Sequence, residues 1–478
     1  MDNNKMPTNS FDHFFLSWIP VREQLTHPLY LSIANQLESD ILSGRLATGT
    51  KLPPQRELAD YLDINFTTIT QAYNLCREKN LIYGIVGKGT FVSPLPGTEF
   101  SCAFLEKKTV IDMGQVKGFD SFRSPVIEAT RNVLEKSYLD QLFNCSEPAG
   151  HLHQRTAGVQ WMKMMDVHTD VNHIAAFPGA QNIICATMLT LFHTGDKLLT
   201  DEYTYFNLLG AAKLSRTQLV PVKGDSCGMI PEEMAKACRN SKIKGIFLMP
   251  NCANPTTITL PESRKDKIAA LIEKHKLILI EDDNTGIIPE AGSQYRSMFS
   301  RLPDQTIHIS NSTMAVCGGL RVSFAAFPER FRHRMLNTLY NLNLKVSALD
   351  AEIITELILT GKAVKLQEQK RLFAQKRNKI YDEIFPGEKA PGSSGTFFRF
   401  LPIGDLGMNG VEIEQELFRR NVRVYHAYRF TVSSKPGNFL RIAITAPDTD
   451  EELRKGLMII KEYIAEKKKN LRKKTSKR

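Results

Sequence analysis

No apolar run in this chain approaches the length of a membrane span, and the amino terminus lacks a charged start followed by a long apolar core. No membrane partner is expected. The eight cysteines form no C-x-x-C pair and show no metal-ligand spacing, and Cys185 and Cys238 sit in apolar surroundings, which argues against a metal site and for reduced thiols. A cytoplasmic protein is the consequence. Lysine and arginine together number 62, yet no lysine occurs between Lys276 and Lys345. Chemistry that needs an amine from that stretch is excluded.

What is present is ordinary globular material. At 478 residues, 42% hydrophobic and 24% charged, the chain is long enough for one large domain and one small one. A formal charge of +11 and a pI near 9.1 favour an anionic partner, although the run from Lys467 to Arg478, read as a basic tail, inflates the balance.

From Pro28 a helical period places Leu31, Ile33, Leu37, Ile41 and Leu42 on one side, stopped by Ser43-Gly44. Leu52-Pro53-Pro54-Gln55 opens a short second helix (55 to 62), and Asn65 caps a third (66 to 79). Residues 82 to 92 then read as a hairpin whose turn carries Gly87, Lys88 and Gly89. Three helices and a basic-tipped hairpin make a winged helix-turn-helix. Pro28-Leu29-Tyr30, Ile41-Leu42-Ser43-Gly44-Arg45-Leu46, Leu52-Pro53-Pro54-Gln55-Arg56-Glu57-Leu58-Ala59 and Gly87-Lys88-Gly89-Thr90-Phe91-Val92 together resemble the GntR-type DNA-binding domain.

That resemblance implies double-stranded DNA as partner. The third helix would enter a major groove with its first peptide N–H groups and the Thr67 or Thr68 hydroxyl toward phosphates. Arg56 would reach a guanine edge or a phosphate, and Lys88 the adjacent backbone or minor groove. Many relatives carry arginine where this chain has Phe66, so one base contact is either absent or replaced by apolar contact with a thymine methyl.

Residues 94 to 123 have no sustained period and read as linker plus entry to the next domain. Beyond them, strand-like runs at 197–200, 218–222, 244–249, 277–280, 306–309 and 320–327 alternate with helical periods, which argues an α/β layer with a mostly parallel sheet. The later section, with strand-like runs at 395–403, 422–428 and 439–446 and helices near 411–420 and from 448, reads as a smaller α+β lobe. The large domain is expected over 124–466.

One stretch concentrates the chemistry. An apolar run at 277–280 ends in Glu281-Asp282-Asp283, and a second run at 306–310 leads through Asn311-Ser312-Thr313-Met314 to Gly318-Gly319-Leu320-Arg321. This is similar to the cofactor region of fold-type I pyridoxal-phosphate enzymes of the aminotransferase type. In that resemblance Asp282 pairs with the pyridine nitrogen, the Gly179-Ala180-Gln181 turn holds the phosphate, and Tyr205 stacks on the ring. Asn254 bonds the phenolic oxygen, Arg321 lies near the phosphate, and Arg441 clasps a ligand α-carboxylate.

Counting back from Gly319-Leu320-Arg321 puts Met314 at the Schiff-base lysine position. Asn311 replaces a serine three residues earlier, and Thr285 a tyrosine of the turn after the aspartates. Methionine is an apolar filler and supplies no nucleophile, so no catalytic residue is assigned. Any pyridoxal 5'-phosphate would be held non-covalently at most, or not at all.

A GntR-like head (27–93) joined to an aminotransferase-like domain resembles the MocR-type transcription regulators, usually homodimers whose large domain senses a small molecule. The expectation is a regulator without transaminase activity. The alternatives are an aminotransferase carrying a DNA-binding head, or a large domain serving dimerisation alone.

Overall fold

Apolar spacing dictates the first unit. Ile33, Leu37 and Ile41 recur every four residues, so they share one face of helix α1 (Leu29–Leu42) and close on Leu58, Leu62, Ile69 and Tyr73. Those partners belong to α2 (Gln55–Leu62) and α3 (Phe66–Glu78). The strands β1 (Ile82–Ile85) and β2 (Gly89–Val92) follow, antiparallel from Ile82 opposite Val92 to Ile85 opposite Gly89. This computed structural model describes residues 16–42, 45–46, 49–79, 81–85, 89–93, 110–118, 122–145, 147–239, 243–283, 296–387, 395–433 and 437–475. The chain divides into two compact units, residues 1–106 and 107–478.

The second unit starts inside the stretch read as linker. Strand β3 (Ile111–Asp112) pairs in parallel with a strand at Val422–Arg423, and Met113 is fully buried. Two alternating apolar residues are too few to register as a period, yet the pairing and burial place residues 111–113 in the folded body.

Helices α4 (Ser124–Leu134) and α5 (Leu152–Lys163) precede β4 (Ile174–Phe177) and α6 (Ala180–Leu191). Then come β5 (Lys197–Asp201), α7 (Phe206–Ser215), β6 (Gln218–Val222) and a small hairpin of β7 (Gly224–Asp225) and β8 (Gly228–Met229). The strands β9 (Ile243–Leu248), β10 (Ile278–Asp283), β11 (Thr306–Ser310) and β12 (Ser323–Ala326) complete a seven-stranded sheet of order β4-β12-β11-β10-β9-β5-β6. All adjacent pairs are parallel except those of β12, which is antiparallel to β11 and β4. Because side chains alternate along a strand, Phe324 and Ala326 pack with Trp161 and Ile354 on one face, while Ala325 and Phe327 pack with Phe177 and Ile184 on the other. Both faces are covered, which is why these strands read as continuous apolar runs.

The smaller lobe holds β13 (Arg399–Pro402), β14 (Val422–Arg423), β15 (Tyr425–His426) and β16 (Phe439–Ile442), with β16 central in a three-stranded antiparallel sheet. Its last helix runs from Asp450 to Thr475. The basic residues Lys467 to Lys474 therefore continue this helix, and Lys467 pairs with Glu416 at 2.6 Å.

Candidate functional site

In the first unit the cap of α3 uses up part of the expected phosphate-binding equipment. The Asn65 Oδ1 accepts both the Thr67 N–H and the Thr67 hydroxyl, each at 2.8 Å. Phosphate oxygens only accept, so a Thr67 hydroxyl already donating to Asn65 has no proton left for one. The Thr68 hydroxyl has no such partner among the described residues, and Arg56 is exposed on α2 with its guanidinium carbon 5.8 Å from the Phe66 ring centroid. Gly89 adopts φ +115°, and a Cβ there would lie 2.8 Å from Lys51 Cε, so the exposed Lys51 side chain lies against the start of β2. Sequence spacing gave no reason to single out Lys51. Gly87 and Lys88 lie outside the described residues.

In the second unit the candidate residues gather at one edge of the large sheet. Gly179 follows β4, Tyr205 follows β5, Asn254 follows β9, Asp282 ends β10 and Met314 follows β11. Those strands are parallel, so the residues share the carboxyl edge where α/β sheets bind ligands. β12 runs the other way, so its amino end, with Arg321 just before it, arrives at the same edge.

The turn into α6 needs its glycine. Gly179 has φ +84°, and a Cβ on it would stand 2.6 Å from Arg321 Nη2, so the arginine lies directly across the turn. The Ala180 and Gln181 N–H groups, first in their helix, have no carbonyl partner within it and suit an anion. The Gln181 side-chain amide turns instead toward the Asn207 carbonyl at 3.3 Å.

Asp282 is 1% exposed, and neither carboxylate oxygen has a hydrogen-bond partner among the described residues. Burial, then Asp283, pushes its pKa up to about 8, while His308 pulls the other way. Alone, such a carboxyl stays neutral; a cationic N–H set against it would supply the missing donor and restore its charge. Its neighbour Glu281 points to the opposite face, accepting the Met298 and Phe299 N–H groups at 2.7 and 2.9 Å and His308 Nδ1 at 3.0 Å. Burial acts to raise its pKa, but these donors and His308 hold it below the usual range. Glu281 is a structural clasp, invisible as such in the acidic triplet.

Tyr205 lies within the same field. Burial, then Asp282, pushes its pKa up to about 12, while Asn207, Arg321 and Arg441 act against the rise. Arg441 is 1% exposed; Nη1 donates to Asn254 Oδ1 at 3.2 Å, Nη2 to the Gly114 carbonyl, and Nε has no acceptor among the described residues. The rings of Phe430, Tyr425 and Phe398 stand 5.1, 5.2 and 5.8 Å from its guanidinium carbon. No carboxylate pairs with it among the described residues, and burial lowers its pKa to about 10. A buried guanidinium facing only neutral acceptors is poised for an anion.

Met314 sits in the short helix Ser312–Ala315 and packs with Val116, Phe122 and Phe373 against Cys252, Phe397 and Phe398. The nearby amine is Lys370, 2% exposed on the helix Lys362–Ile384, whose Nζ donates to the Met314 carbonyl at 3.3 Å and the Val316 carbonyl at 2.7 Å. Lys370 stitches the turn from behind. Asn311 is buried and takes a 3.4 Å bond from Ser323; Thr285 lies outside the described residues.

Two family models match the chain: "Bacterial regulatory proteins, gntR family" over residues 29–92 and "Aminotransferase class I and II" over 106–460. The uncharacterized HTH-type transcriptional regulator YdeF of Bacillus subtilis is 35% identical over 464 residues, spanning 96% of this chain and 99% of that protein. The chain belongs to the MocR-type transcriptional regulators. A more distant relative is the vitamin B6 salvage pathway transcriptional repressor PtsJ of Salmonella typhimurium, 22% identical over 64% of this chain and 73% of its own. Among solved structures, the kynurenine aminotransferase of Pyrococcus horikoshii has a TM-score of 0.68 at 18% identity, covering 76% of this chain and 93% of that one. It shows that this MocR-type chain has the aminotransferase fold. No helix among the described residues is long and apolar enough to cross a membrane.

Proposed function

We propose that this MocR-type regulator binds DNA through its first unit and uses the aminotransferase fold to sense a small anionic ligand without transamination. The observation that carries the reading is the survival of a ring- and anion-binding set around a position that offers no amine. Among the described residues Asp282 has no donor and Arg441 no counterion, Gly179 and Arg321 frame a helix amino terminus, and Met314 stands where the lysine would be.

These residues fit pyridoxal phosphate. Asp282 would face its ring nitrogen, the α6 terminus and Arg321 its phosphate, and Asn254 its phenolic oxygen. When bound, that group supplies a reactive aldehyde on an electron-withdrawing ring. In this chain Tyr205 and the buried rings would exclude water, Asp282 would take up the charge of the ring N–H, and Met314 would leave the aldehyde uncaptured.

A homodimer is part of the proposal. Phe143 and Leu344 are 69 and 59% exposed, and the bond from Lys345 to the Asn144 carbonyl brings their neighbours together, so these apolar side chains lie in one region of the second unit. An exposed apolar region of this kind is suited to a second copy. A cytoplasmic setting is supported by the cysteines, since the seven described are all free thiols.

The test combines two titrations. The purified protein should bind DNA upstream of its own gene with an affinity that falls steeply with salt. It should bind pyridoxal 5'-phosphate reversibly, with the ligand removed by dialysis, whereas Met314→Lys should retain it covalently after borohydride. Transamination of common amino acids by the native protein would overturn the proposal.

A further inference from the structure

The polar groups at the start of α3 are largely committed within the protein. Asn65 holds both donors of Thr67, and the Thr70 hydroxyl donates to Gln55 Oε1 at 2.9 Å, tying the first residue of α2 to α3. Besides the Thr68 hydroxyl, Arg56 and Phe66 are uncommitted among the described residues of this surface. Arg56 makes no hydrogen bond or ion pair with any described residue, so its five N–H donors are available. Phe66, the first residue of α3, is 43% exposed. The Arg56 guanidinium carbon stands 5.8 Å from the Phe66 ring centroid, within range for a weak cation–π attraction that restrains both side chains.

We propose that Phe66 and Arg56 read one base step together, the Phe66 ring against the C5-methyl of a thymine and Arg56 on the guanine beside it. This rests on the reading that α3 enters a major groove. There, guanine offers two acceptors, O6 and N7, that match the arginine fork, and thymine alone among the four bases offers a methyl group. Adenine and cytosine each present an amino donor, which arginine cannot accept. The ring and the guanidinium are adjacent, so the two bases are adjacent as well. Phe66 therefore determines specificity where an arginine would add a second hydrogen-bonding contact. It acts through contact and shape, so its contribution is insensitive to salt, unlike that of Lys51 or Arg56.

The test uses the full-length protein and a random-sequence duplex library. Native protein should enrich sites with thymine next to guanine in each half-site, and Arg56→Ala should lose the guanine preference. In the selected duplex, replacing that thymine by uracil removes only the methyl group. Native protein should then bind about 4-fold more weakly, the equivalent of one buried methyl. Phe66→Ala, a change at an exposed position that leaves the core intact, should bind the thymine and uracil duplexes equally. Enrichment without the thymine–guanine step, or equal native affinity for both duplexes, overturns this inference while leaving DNA binding in place. A library from which nothing is enriched would instead remove the DNA-binding reading itself, and this inference with it.

Discussion

Replacing Asp282 by asparagine should make the second unit more stable near neutral pH and remove part of its pH dependence. The carboxyl has a folded pKa of about 8 and an unfolded value near 3.8, so the folded state holds the extra proton. Stability from this group is therefore lost as pH rises from the unfolded value, and the loss is complete only above the folded one. At pH 7 the penalty is at most about 4 kcal/mol, from roughly 1.4 kcal/mol per unit over about three units. Asparagine, uncharged at every pH, avoids it.

Trp161 is fully buried in the second unit and Trp18 belongs to the first, so a Trp18→Phe background leaves fluorescence that reports the second unit alone. Urea midpoints measured from about pH 5 to 8 should fall for the parent and fall less for Asp282→Asn. Asp201, also raised by burial, acts in both proteins and cancels in the difference, whereas the repulsion between Asp283 and Asp282 is removed with the carboxyl and is part of the difference. Parallel pH profiles for the two proteins would refute the reasoning, because Asp282 would then have a donor in solution that leaves it ionised.

Lys370→Met should destabilise the second unit by about 1–3 kcal/mol, since the buried Val316 carbonyl and the partly buried Met314 carbonyl lose their donor, and urea unfolding followed at Trp161 reads it. Asn65→Ala should cost the first unit about 1 kcal/mol through loss of the α3 cap, measured by Trp18 fluorescence, while freeing the Thr67 hydroxyl. Arg56→Ala should weaken DNA binding by about 1–3 kcal/mol in a gel-shift titration at fixed salt.

The first unit was legible because its signals are local: proline pairs, an Asn cap and a four-residue apolar period each act over one or two turns. The bounds of α2 follow directly from Pro54 and the left-handed Asp63 (φ 52°). In the second unit β4 was not read as a strand, since Ile174-Ala175-Ala176-Phe177 holds two alanines of low strand preference and is stabilised by β12 and both faces of helices. The acidic triplet was legible as a strand end. The division of labour within it was not, because alternation sends Glu281 to His308 and Asp282 to the ligand edge. Gly114 against Arg441 and Lys370 against Met314 are contacts between residues far apart in the chain, and no local pattern announces them.

The central claim is that this site holds its ligand without covalent capture, and mass spectrometry after borohydride treatment tests it most directly. The full-length protein, saturated with pyridoxal 5'-phosphate, reduced and denatured, should show no stoichiometric adduct. A one-to-one adduct mapping to a lysine of the second unit, Lys370 above all, would contradict the account.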